Sequence, residues 1–213
     1  MELLQQISEK LQKGDAKGVR SGVEEALEQG VTPRQILEES LLAAMSIIGV
    51  KFKNNEVFVP EVLIAARAMN SAMEVLKPRL VDDGVEPVAS VILGTVKGDL
   101  HDIGKNLVKM MLEGAGFEVH DLGIDVSAEK FVAAIKEHKP QIVGMSALLT
   151  TTMVEMKGIV QAISDAGYRD DVTIMVGGAP VTEKYAQEIG ADLYGKDAAD
   201  AATLAKEHIL NAS

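Results

Sequence analysis

The segment Gly98-Asp99-Leu100-His101-Asp102-Ile103-Gly104 sets one histidine among two carboxylates and two glycines. It follows an apolar run, Val91 to Val96, of the kind that forms a buried strand. A loop in that place stands at the carboxyl end of a strand, where open α/β sheets hold their ligands. Three roles are open to His101: metal ligation, proton transfer, or a structural hydrogen bond. A lone loop histidine most often has the last. Asp99 changes the balance. A carboxylate two residues away can accept the Nδ1 proton, fix the tautomer and leave Nε2 as a more basic ligand facing outward.

No second His, Cys or Glu cluster lies nearby in the sequence to complete a metal site from protein groups alone. His120, His138 and His208 fall on other elements and read as surface residues. A metal at His101 would bring its own ligands, as in a macrocycle. Nor is the loop a phosphate cradle. Five residues separate Gly98 from Gly104, one more than in a P-loop, and Lys105-Asn106 replaces the Lys-Ser/Thr pair. The Rossmann glycine spacing is absent too, which disfavours a nucleotide.

Two halves must position this loop, and they differ in pattern. Residues 1–80 read as four helices. Leu3, Leu4, Ile7 and Leu11 recur at helical spacing, and Asp15 caps a second helix that ends near Gly30. Thr32-Pro33-Arg34-Gln35 supplies a capping box for a third, to about Lys53. Pro60 opens a fourth, which Lys77-Pro78 closes. Short connections imply an antiparallel bundle. Residues 81–87 form a polar linker, with Gly84 giving it freedom to hinge.

From residue 88 to 213 the pattern alternates. Strands are expected at Val88–Val96, Phe117–Leu122, Gln141–Ala147 and Val172–Val176, with a short one near Leu193. Helices are expected at Ile103–Glu113, Ala128–His138, Thr152–Ala166, Glu183–Ile189 and Ala198–Leu210. The fold class is α/β: a flavodoxin-like (Rossmann-like) five-stranded parallel sheet of order 2-1-3-4-5 behind a helical bundle. That order brings three carboxyl ends together: the His101 loop, Ser146-Ala147-Leu148 with Thr150-Thr151-Thr152, and Gly177-Gly178. Two glycines let a ligand approach the backbone closely, and also suit a tight strand exit. Ser146 is small and offers one hydroxyl.

Composition narrows the classes of function. The net charge is −11 and aromatic residues make up 3% of the chain, which argues against both a basic and a stacking surface for nucleic acid. Cysteine is absent, which removes disulfides, thiolate nucleophiles and Cys-ligated metals. The longest apolar stretch is too short for a bilayer, and the N-terminus lacks a basic leader, so a cytoplasmic protein is expected.

The spacing Asp99-x-His101-x-x-Gly104, 41 residues, Ser146-x-Leu148, 28 residues, Gly177-Gly178 resembles the cobalamin-binding signature of B12-dependent methyltransferases and mutases. Gly94 to Asn106 is similar to the methionine synthase cobalamin module, which also carries a four-helix bundle before its α/β domain. Size and architecture resemble the small corrinoid proteins of anaerobic methyltransferase systems. The resemblance implies cobalamin as cofactor, cycling between methylcobalamin and cob(I)alamin. His101 is implied as the lower axial ligand to cobalt in place of benzimidazole. Asp99 would hydrogen-bond His101, and Thr152 would extend the relay. Gly98, Asp102, Ile103 and Gly104 complete the cofactor loop. Ser146, Leu148, Gly177 and Gly178 would line the slot for the displaced nucleotide tail, with Thr150 at the corrin or tail. The bundle would cap the upper face, with Phe58, Val59, Leu63, Met69 and Met73 as candidate contacts.

The implied function is that of a methyl carrier rather than a free-standing catalyst. Its partners would be a substrate:corrinoid methyltransferase, a second methyltransferase serving tetrahydrofolate or coenzyme M, and a reductive activation protein. The rivals are a cobalamin-binding sensor, the small subunit of an adenosylcobalamin-dependent mutase, and an unrelated flavodoxin-like binding module that ignores cobalamin.

Overall fold

In the computed structural model, which describes residues 2–212, the chain divides into two compact units. One comprises the residues up to Pro87 together with Gly114–Gly116. The other comprises Val88–Glu113 and the chain from Phe117 onward.

The first unit is helical. α1 (Glu2–Gln12) and α2 (Ala16–Glu28) are joined by a turn in which the Asp15 carboxylate accepts the Gly18 N–H at 2.9 Å. The Thr32 capping box forms as expected and starts α3 (Pro33–Ile36). The chain beyond Ile36 is not one uniform helix. Leu37–Leu42 winds as a π-helix before α4 (Ala43–Lys53). The buried Ser40 hydroxyl bonds back to the Ile36 carbonyl, a side-chain competitor for the regular ladder. Ile7, Leu11, Val19, Val23, Ile36, Leu41, Val62 and Leu76 are fully buried and make the core.

α5 runs over Val59–Asp82 and corrects the expected stop at Pro78. Leu76 and Leu80 are both buried, one turn apart, so the apolar stripe carries across the proline. Pro78 itself is exposed, on the face of the helix away from that stripe. The stop comes at Gly84, with φ +66°. There the Val85 N–H reaches the Leu80 carbonyl and the Gly84 N–H reaches the Val81 carbonyl. That is a Schellman cap. Gly84 is therefore a helix terminator, not free hinge chain.

The second unit is a parallel sheet in the expected order, β2-β1-β3-β4-β5. Its strands are β1 (Ser90–Val96), β2 (Glu118–Val126), β3 (Ile142–Ser146), β4 (Thr173–Gly177) and β5 (Leu193–Gly195). The helices are α6 (Ile103–Gly114), α7 (Ala128–His138), α8 (Thr150–Met153), α9 (Glu155–Asp165), α10 (Glu183–Ile189) and α11 (Ala198–Ala212). β1, β3 and β4 are apolar along most of their length because helices cover both faces of such a sheet. The fully buried Phe131 of α7 packs on β1 at Gly94, where a Cβ would lie 2.8 Å from its ring. β2 runs four residues past the expected end at Leu122, through bulges about Gly123 and Asp125. Among the described residues no helix is long and apolar enough to cross a membrane.

Candidate functional site

Register gathers the expected segments. Thr95 pairs with Ser146, Ser146 with Gly177, and Gly177 with Gly195, one row across the carboxyl edge of the sheet. The loop after β1 rises from this row. Thr95 is fully buried and donates its hydroxyl to the His101 carbonyl at 3.1 Å. Sequence reasoning passed over Thr95, although a hydroxyl inside an apolar strand is a usable signal.

Asp99 has no exposed surface. Its Oδ1 accepts the His101 ring at Nδ1 (2.7 Å) and the His101 backbone N–H (3.0 Å). Its Oδ2 accepts the Thr152 hydroxyl (2.6 Å) and the Leu148 N–H (2.8 Å). Burial alone would raise the pKa of this carboxyl. The donors on Thr152, Leu148 and His101 outweigh it and hold the group well below the usual carboxylate range. Asp99 is therefore a fixed anion with no proton to give. The proton between it and the imidazole sits on Nδ1, which leaves the Nε2 lone pair free to ligate. Among the described residues, none pairs with Nε2. The His101 side chain is half exposed.

The remaining expected residues divide. At the start of α6 the Asp102 side chain accepts from the Asn106 side chain at 3.0 Å, and its carbonyl accepts the Asn106 N–H at 2.7 Å. Leu100 is 67% exposed, Ile103 79% and Leu148 44%, an uncovered apolar rim around the imidazole. Leu148 contributes a backbone N–H as well as its side chain. Thr150 is exposed at the start of α8, and Ser146 is half-buried in the cross-sheet row. Gly98 takes φ +79°, which explains the glycine by backbone conformation. The Gly177-Gly178 pair has its own steric reason. A Cβ on Gly178 would stand 1.9 Å from the Ala147 carbonyl oxygen, and one on Gly177 2.8 Å from that of Gly195. Gly104 is different: it is exposed, has no positive φ, and a Cβ there meets nothing within 4 Å.

Sequence reasoning also missed Lys105. It is 2% exposed, and its ammonium donates to both Asp121 oxygens at 2.7 and 2.8 Å, tying the start of α6 to β2.

Fold and site together define a class: an α/β module that presents a single buttressed imidazole at the carboxyl edge of a parallel sheet. Residues 89–203 match a B12 binding domain, and residues 3–77 match a second model of that description. Trimethylamine corrinoid protein 1 of Methanosarcina acetivorans is 47% identical over 88% of this chain and 88% of its own. Dimethylamine corrinoid protein 1 of Methanosarcina mazei is 41% identical, covering 98% of this chain and 97% of its own. The crystal structure of the methanol:cobalamin methyltransferase complex MtaBC from Methanosarcina barkeri contains a similar chain. It matches with a TM-score of 0.89 at 30% identity, over 98% of this chain and 80% of that one. The chain belongs to the B12-binding corrinoid protein family.

The residues present fit such a cofactor. Among the described residues no group of three or more His, Cys, Asp or Glu could hold a metal ion by itself. One imidazole is what a metal already chelated by a macrocycle requires. The apolar rim and the open space over Gly104 suit a broad, mostly apolar ring.

Proposed function

We propose that this chain is the corrinoid subunit of a methylamine methyltransferase system. It binds cobalamin through His101 and carries a methyl group from a substrate-specific methyltransferase to a second one that serves tetrahydrofolate or coenzyme M. The observation that carries this reading is the Thr152–Asp99–His101 relay, which ends on a free Nε2 at the sheet edge. When bound, cobalamin supplies a cobalt centre that accepts and releases the methyl group.

The chain's own residues do the rest. Asp99 holds the Nδ1 proton and so raises the electron density offered at Nε2. Thr152 and Leu148 keep the Asp99 carboxylate ionised and stationary. The loop would keep its place whether or not the imidazole holds the metal, because Thr95 and Asp99 bond the His101 backbone independently of its ring. Ser146, Gly177 and Gly178 would line the edge that holds the nucleotide tail. A reductive activation protein completes the set of partners, and the system operates in the cytoplasm.

Names among the relatives favour methylamines over methanol as donors, since the identities to trimethylamine and dimethylamine corrinoid proteins exceed that to the methanol complex. The test reconstitutes the full chain with hydroxocobalamin, reduces it, and adds trimethylamine or methanol with the corresponding methyltransferase. Methylation, read from the visible spectrum, is expected with trimethylamine and not with methanol. Methylation with neither, alongside retention of adenosylcobalamin, would refute the carrier role.

A further inference from the structure

β2 departs from regular pairing where it passes the His101 loop. Leu93 pairs with Asp121, Gly94 with Gly123 and Val96 with Val126, so β2 carries an extra residue at each step. Asp125 lies in the second bulge with φ +53°, in the left-handed region that Asp, Asn and Gly enter most readily. From there its Oδ1 accepts the Gly98 N–H at 2.7 Å, and its own N–H donates to the Asp99 carbonyl at 3.1 Å. These two bonds grip the backbone on either side of the Asp99 side chain. Asp99 is also held by its own N–H, which donates to the Val96 carbonyl of β1 at 3.1 Å, and through its side chain by Leu148, in the loop after β3, and Thr152 of α8. Asp125 is the constraint from the opposite side, and it lies on the edge strand, where bulges commonly re-aim a side chain toward a site.

We propose that Asp125 is a positioning residue for His101. By holding Gly98 and Asp99 from β2 it sets where the Asp99 carboxylate stands, and through it the tautomer and direction of the imidazole. Two features of the residue are used at once. Its carboxylate makes a short charge-assisted bond, and its backbone tolerates the bulge. Asparagine keeps the backbone tolerance and an acceptor oxygen for the Gly98 N–H, though without the charge; glycine keeps only the backbone tolerance, and alanine keeps neither. The inference rests on the reading of His101 as the ligand to cobalt.

The test uses the full chain as Asp125→Asn, Asp125→Gly and Asp125→Ala, with His101→Gly alongside. Three readouts apply: the ring ¹⁵N shifts of His101 without cofactor, the affinity for hydroxocobalamin, and the visible spectrum of the bound form. Asp125 is exposed, and tyrosine fluorescence checks that each variant is folded. Wild type and Asp125→Asn are expected to show only the Nδ1–H tautomer. Asp125→Gly and Asp125→Ala should show a mixture, with affinity weakened roughly fivefold, the worth of about one net hydrogen bond. A wild-type tautomer and affinity in Asp125→Gly and Asp125→Ala would overturn the proposal. So would an Asp125→Asn as impaired as Asp125→Ala. If His101→Gly leaves the bound spectrum unchanged, the ligand assignment falls and this inference with it. If His101→Gly alters the spectrum while the Asp125 variants do not, only this inference falls.

Discussion

Replacing Thr152 with valine removes one hydroxyl from a site that is otherwise the same shape. Thr152 is 8% exposed, and its Oγ1 lies 2.6 Å from Asp99 Oδ2 and 3.1 Å from the Leu149 carbonyl. A hydroxyl has one proton, and the shorter, charged partner takes it. A hydrogen bond to a charged group contributes roughly 1.5–3 kcal/mol net. Asp99 keeps three other donors, so it is not orphaned, and the expected cost is about 2 kcal/mol. All three tyrosines, Tyr168, Tyr185 and Tyr194, lie in the α/β unit, so their fluorescence in urea reports that unit alone. With a urea slope of about 2 kcal/mol/M, Thr152→Val should lower the midpoint by about 1 M. Thr152→Ser, which keeps the hydroxyl and loses a methyl, should fall less than half as far. The sign with pH is fixed as well. Asp99 is held below its ordinary pKa, so the gap between wild type and Thr152→Val is fully present above about pH 4. It closes only as pH falls through the folded-state value. A shift under about 0.3 M, or Thr152→Ser falling as far as Thr152→Val, would refute the assignment of that proton to Asp99.

Three further outcomes are expected. Lys105→Met leaves Asp121, 22% exposed, without its main cation, and should cost roughly 2 kcal/mol at pH 7 by urea denaturation. Burial would raise the Asp121 pKa, but Lys105, the Gly123 N–H and Lys109 hold it below the ordinary value. That cost should therefore shrink as pH falls below about 4. Gly178→Ala puts a methyl against the Ala147 carbonyl and should destabilise the α/β unit by about 3 kcal/mol or more, whether or not cobalamin is present. Gly104→Ala should leave unfolding within about 0.5 kcal/mol of wild type or better, yet weaken cobalamin binding measured by titration.

What the sequence disclosed was local. Asp99, His101 and Gly104 lie within six residues at the β1–α6 junction, and βα alternation implies a parallel sheet, so once a flavodoxin-like strand order is taken their neighbourhood with Ser146 and Gly177 follows. The hydroxyl of Thr152 reaches Asp99 across 53 positions, and only family spacing pointed to it. Asp125 was hidden because Gly123 and Asp125 look like a turn, whereas a bulge uses the same residue types without ending the strand. Pro78 misled for a related reason. A proline ends a helix only where burial does not continue past it, and Leu80 carries that burial on. The π-helical turn at Leu37–Leu42 has no sequence signature beyond Ser40.

The central claim, that His101 ligates cobalt in place of the cofactor's own base, is tested most directly by electron paramagnetic resonance of the full chain loaded with cobalamin and reduced to cobalt(II). One axial ¹⁴N nucleus splits the cobalt lines into triplets. Growing the protein with ¹⁵N-histidine should convert them to doublets, and His101→Gly should abolish the splitting from histidine. Triplets that persist in the ¹⁵N-histidine protein would show that the nucleotide base still holds the metal, and would contradict the account.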